Sequence, residues 1–172
     1  MKELHDVKYF SLQKVKKFVR QHQDSPKAVK ELLKLIMSDD AQITMRASWV
    51  LQHMSFENPD IIYPHLPELI KFLHKKDQHS GAIRNVIRIF QELDLPEKYC
   101  SEIFDLCMAY SKNPAMPHAV RVFAIYTMVN ICKKYPDLKY EVELIIRELK
   151  SYPHPPSFIA CFKKVSKILL KL

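Results

Sequence analysis

Two arginines one helical turn apart, Arg84 and Arg88 in the stretch DQHSGAIRNVIRIF, are the side chains best suited to meet an acidic partner. A guanidinium presents several N–H donors in a plane that matches carboxylate or phosphate oxygens. The neighbourhood also holds His74, Asp77 and His79, residue types that ligate metals. Their inter-helix position and a capping role for Asp77 favour a polar loop over a metal site. The four cysteines, Cys100, Cys107, Cys132 and Cys161, lack CxxC spacing and stand among apolar neighbours, so they read as buried free thiols. Gly81 is the chain's single glycine, which excludes a glycine-built phosphate cradle. No GxSxG is present, and no serine adjoins a histidine in a nucleophile motif. The expectation is a chain with no catalytic set, no metal site and no cofactor.

The elements that must carry these residues are helices. One glycine among 172 residues disfavours β-hairpins, which lean on glycine for positive φ. Eleven prolines fit many short helices, because proline suits the first turn and the positions just past the end. Val29, Leu32, Leu33 and Ile36 form one helical face, opened by Ser25 and Pro26. The next helix runs from about Asp40 to Met54, with Trp49, Val50 and Met54 inward. Pro64 and Pro67 should kink or split the helix that follows. No window alternates as a strand would.

Composition bounds the class. Apolar residues make up 48% and charged residues 27%, values of a globular chain. The charged N-terminal stretch does not read as a signal peptide, and the most apolar run, Val122 to Cys132, is too short to span a bilayer. A cytoplasmic protein with no membrane partner is expected. The net charge of +8 permits nucleic-acid binding, although lysines and arginines spread along amphipathic helices serve equally as solvated faces.

The helices pair, and the pairs repeat. Met45-Arg46, Ile83-Arg84 and Val120-Arg121 recur at steps of 38 and 37 in the second helix of each pair. Leu33, Ile70, Cys107 and Ile145 recur at 37, 37 and 38 in the first helices. Two positions sharing one period mark stacked helical hairpins, each burying a face its neighbour would otherwise leave exposed. Asp39 and Asp77 each precede an arginine, Arg46 and Arg84, by seven residues, or two helical turns. That spacing suggests a structural ladder of aspartates and arginines across the stack, ended at Arg121, where Pro114 replaces the acid.

The Asp-x6-Arg spacing, the 37 to 38 residue beat and the proline-rich first helix resemble HEAT repeats. The stretches MRASWVLQHMSFENPDIIYPHLPELIKFL, HSGAIRNVIRIFQEL and AVRVFAIYTMVNICKKYPDLKYEVELIIREL resemble small bacterial HEAT-type proteins, over nearly the whole chain from about residue 26. More distantly the chain is similar to HEAT-like DNA glycosylases that remove alkylated purines. The resemblance implies an all-α, right-handed α–α superhelix of about four hairpins with an N-terminal capping helix. As one domain over 1–172, it would comprise a cap at 1–24 and repeats at 25–56, 57–94, 95–135 and 136–172.

The same resemblance implies a surface function. Second helices would line a concave face that binds a protein or peptide, presenting Arg46, Arg84, Arg88, Gln91, His118 and Arg121. Arg88 stands apart, because its repeat counterparts are Val50 and Ile125, so the scaffold does not require a charge there. The alternative is a nucleic-acid-binding relative of the glycosylases. Their tryptophans and acidic residue do not carry over: Trp49 is the sole tryptophan, and Glu102 and Asp105 lie on a first helix. The stripe Phe158, Phe162, Val165, Leu169 and Leu172 raises a further expectation, dimerisation through the C-terminal helix.

Overall fold

Short polar side chains and prolines set the helix starts, because they satisfy or dispense with the free N–H groups of a first turn. The computed structural model describes residues 11–172, so the first ten positions of the expected cap and their signal-peptide reading lie outside the described residues. Ser11 accepts from Lys14 N at 3.4 Å to open α1 (Leu12–His22). Ser25 accepts from Ala28 N at 3.3 Å to open α2 (Pro26–Ile36), with Pro26 in the first turn. Asp40 opens α3 (Ala41–Glu57) by accepting from Gln42 N at 2.9 Å and Ile43 N at 3.0 Å.

Pro64 and Pro67 split the next segment as expected. The chain passes through two 3-10 turns, Pro59–Ile61 and Tyr63–His65, before α4 (Leu66–His74). Then come α5 (Ser80–Glu92), α6 (Glu97–Lys112), α7 (His118–Cys132), α8 (Lys139–Lys150) and α9 (Pro156–Leu169). Among the described residues there is no strand. The fold is all-α, with helices packed on helices.

Packing divides the chain into two compact units, the first ending at Ile89 inside α5 and the second running Phe90–Leu172. In the first, α1 and α2 pack on α3, and Val29, Leu32, Ile36, Val50, Leu51 and Met54 are buried. In the second, α6, α8 and α9 pack on α7 around Ile103, Cys107, Ala124, Ile125, Met128 and Phe158. Leu33, Ile70, Cys107 and Ile145 are all buried, so the beat of the first helices marks core positions. Burying each such side chain is worth about 1.5–3 kcal/mol, which makes the repeat itself a record of hydrophobic burial.

Three readings need correction. The Asp–Arg ladder does not form among the described residues: Asp39 and Asp77 make no ion pair with Arg46 or Arg84. Asp40, not Asp39, caps α3. At α5 the corresponding work falls to His79, whose Nδ1 accepts from Gly81 N at 3.1 Å. Asp77 sits three residues before that helix with a left-handed φ of 59°. Seven residues span two turns only where all of them are helical, and these are not.

The polar ties that do form use side chains against backbone or hydroxyl groups one repeat away. In the first unit Lys75 Nζ donates to Met37 O at 3.3 Å, and Asn85 Nδ2 donates to Ser48 Oγ at 3.1 Å and Met45 O at 3.3 Å. In the second, Asn130 Nδ2 donates to Gln91 O and Lys134 Nζ to Leu95 O, each at 2.7 Å.

The second correction concerns α9. Phe158, Phe162, Val165 and Leu169 are buried within the second unit, so the stripe expected to mediate dimerisation is spent on the chain's own core. Ile159 and Leu170 remain as its large exposed apolar side chains. The third concerns Trp49, expected inward. It is half-buried, because the core-facing line of α3 runs through Ala47, Val50, Leu51 and Met54, and Trp49 stands at its edge.

Candidate functional site

Of the expected binding residues, Arg46, Arg84 and Arg88 belong to the first unit and Gln91, His118 and Arg121 to the second. Arg46 and Arg121 are each 6% exposed, which places their guanidinium groups inside the helix packing. Arg121 Nε donates to Ser111 O at 2.9 Å and the guanidinium lies over the Phe158 ring at 5.0 Å from its centroid. A buried arginine so engaged reads as structural. His118 is exposed at the start of α7 and meets Phe158 edge-on at 5.4 Å. His154 stacks on the same ring at 4.6 Å while its Nε2 lies 2.6 Å from Leu149 O. Phe158 thus organises an internal cluster of the second unit. Gln91 also belongs to that unit, bonded through its carbonyl to Asn130 and through its amide to Glu92 at 3.2 Å.

Arg84 and Arg88 remain on α5 in the first unit, both half-buried. The Arg84 guanidinium donates to Asn85 Oδ1 at 3.2 Å, orienting the amide that ties α5 to α3. Arg88 does something different. Its guanidinium lies over the Phe56 ring of α3 at 5.3 Å from the centroid.

Phe56 is 38% exposed and leads into an aromatic line along α3. His53 meets Phe56 at 6.2 Å and Trp49 meets His53 at 5.7 Å, both edge-on. Positions 49, 53 and 56 follow i, i+4, i+7 spacing, so they share one helical face. His53 is held below its ordinary value of 6.5 by burial first, then by Arg88 and Lys16. That shift has a local positive field as its second cause. The arrangement offers aromatic edges and faces beside a guanidinium, chemistry suited to an acidic segment that also carries apolar side chains.

The signal for this site was present in WVLQHMSF, where Trp, His and Phe recur one turn apart. Sequence spacing places Trp49 with the inward Val50 and Met54 and ends the helix near Met54, whereas α3 continues to Glu57 and carries Phe56 on the face of Trp49 and His53.

All four cysteines are buried and free. Burial pushes the Cys107 thiol up to about 12 and those of Cys132 and Cys161 to about 11, so they stay protonated at neutral pH. Among the described residues no group of three or more His, Cys, Asp or Glu is arranged to hold a metal ion. Among them also, no helix is long and apolar enough to cross a membrane.

No curated protein and no solved structure matches the chain significantly. The family model of the HEAT repeat domain matches residues 4–169, nearly the full length. That match joins the 37 to 38 residue beat, the buried first-helix positions and the all-α packing described above. The chain belongs to the HEAT repeat domain family.

Proposed function

We propose that this protein is a non-catalytic scaffold whose first unit binds an acidic, apolar-bearing protein segment on the α3–α5 face. The observation that carries the reading is the Arg88 guanidinium seated over the exposed Phe56, at the end of the line that half-buried Trp49 and His53 begin. Aromatic rings supply contact area at low entropic cost, and the arginine supplies charge-assisted hydrogen bonds to carboxylates. Arg84 stands one turn away and extends the positive rim. Binding surfaces concentrate their free energy in such aromatic and arginine residues.

Trp49 is the sole tryptophan, so its fluorescence reports on this face without labelling. Titration with a short amphipathic peptide of glutamate and leucine should shift Trp49 emission saturably. Arg88→Glu should abolish the shift and Arg88→Lys should retain part of it, because lysine keeps the charge but loses the planar fork. Binding that survives Arg88→Glu unchanged would remove Arg88 from the site. A duplex oligonucleotide is the second arm of the titration. A steeply salt-dependent response to DNA with none to the peptide would favour the nucleic-acid reading instead.

A further inference from the structure

The second unit carries a surface of opposite character. Between α6 and α8 lies a groove of about 590 Å³, lined by Phe104, Met108, Tyr135 and Leu138 along its apolar part. Its charged lining residues are Glu97, Asp105 and Glu141, and no lysine or arginine lines it. All three carboxylates are exposed, whereas Phe104 is 4% exposed and forms the floor. In a chain of net charge +8 an all-acidic groove is a local reversal of sign. Nearby cations do not fill it. Lys112 at the end of α6 pairs with Glu148 of α8 at 2.9 Å, and Lys134 pairs with Asp94.

Volume and chemistry together narrow the occupant. Pockets that hold organic ligands or side-chain anchors run from roughly 300 to 1,000 Å³, and this one falls inside that span. An apolar floor under an acidic rim complements a segment with aliphatic side chains on one face and lysine or arginine beside them. The chain's own α9 has such a face, with Ile159 and Leu170 exposed among Lys163, Lys167 and Lys171. Docking α9 of one copy into the groove of another would join two different surfaces head to tail. Yet Ile159 and Leu170 stand about three turns apart, and Phe158, Phe162, Val165 and Leu169 are buried in the chain's own core, so α9 has no continuous apolar stripe to cover the floor and a different chain is the occupant. We propose that the α6–α8 groove docks a basic amphipathic segment of a partner protein, with Glu97, Asp105 and Glu141 pairing its cations over the Phe104 and Met108 floor.

The reading stands independently of the α3–α5 face, which lies in the other unit and carries the opposite charge. The test is fluorescence anisotropy of a labelled amphipathic peptide of leucine and lysine, with the same peptide bearing glutamate for lysine as control. The lysine peptide should bind the full chain, and the glutamate peptide should not. Combined Glu97→Lys, Asp105→Lys and Glu141→Lys should weaken binding by about tenfold or more, and Met108→Ala severalfold, with helicity by circular dichroism unchanged. The three reversed positions are exposed, so the variant keeps its core. Equal binding of both peptides, or indifference to the charge reversal, would overturn the proposal. So would displacement of the peptide by butylamine alone at matched charge, which would assign the groove to a small amine. Concentration-dependent self-association in sedimentation, lost on charge reversal without any peptide binding, would assign it to a second copy and likewise overturn it.

Discussion

Asn85 makes the sharpest test of how the first unit is held together. It is 1% exposed on α5 and its Nδ2 donates to Ser48 Oγ at 3.1 Å and Met45 O at 3.3 Å, both on α3. Its Oδ1 accepts from Arg84 at 3.2 Å. In Asn85→Leu these bonds vanish while volume is nearly kept. Each neutral hydrogen bond contributes about 1 kcal/mol net, and the Ser48 hydroxyl still donates to Met45 O at 2.8 Å. The loss should therefore be about 2–3 kcal/mol, not the larger cost of an orphaned carbonyl. For a chain of this size that lowers Tm by roughly 5–10 °C. Urea denaturation followed by Trp49 fluorescence reads the same unit that holds Asn85. Ser48→Ala and the double variant complete a cycle, with a coupling of about 1 kcal/mol expected between the two positions. A loss under about 0.5 kcal/mol, or strict additivity, would refute the view that this amide ties α3 to α5.

Gly81 faces Met45 of α3, where an added Cβ would lie 3.0 Å from Met45 Cγ and 3.0 Å from His79 ring atoms. Gly81→Leu should cost about 1–3 kcal/mol by overpacking against α3 and His79, measured by urea denaturation. Folding holds His53 below 6.5, so the unfolded chain takes up a proton first as pH falls. The stability contributed by neutral His53 is full above 6.5 and declines as pH drops below it. His53→Gln should flatten that part of a stability–pH profile, and an unchanged slope would count against the shift. The four buried thiols should resist iodoacetamide at about pH 8 in the native protein and react fully in denaturant, a difference mass spectrometry reads directly.

Residues far apart in sequence explain why the fold was easier to read than the site. The apolar spacing of Val29, Leu32, Leu33 and Ile36 is a local property, set by 3.6 residues per turn, and it names a helix wherever the chain goes. The beat of Leu33, Ile70, Cys107 and Ile145 repeats that property at fixed intervals, so these core positions followed from sequence. The caps were partly legible too: Ser25 with Pro26 behaved as a short-range pattern should.

The ladder failed for a reason that spacing cannot contain. Whether Asp77 reaches Arg84 depends on three loop residues and a left-handed φ, and those are settled by how α4 hands the chain to α5. In its place the structure uses Asn85 and Lys75, whose partners Ser48, Met45 and Met37 lie a full repeat away. The repeat counterparts of Asn85 are Ala47 and Val122, so no periodic signal marks it. The half-burial of Trp49, the exposure of Phe56 and the meeting of Phe56 with Arg88 likewise required α3 and α5 to be set side by side. By itself the sequence determined that the chain is helical, that its hairpins repeat, and which side chains are apolar enough to bury. Only tertiary structure decided which arginines are sealed in the core and which meet solvent, because burial is a property of neighbours and not of the residue.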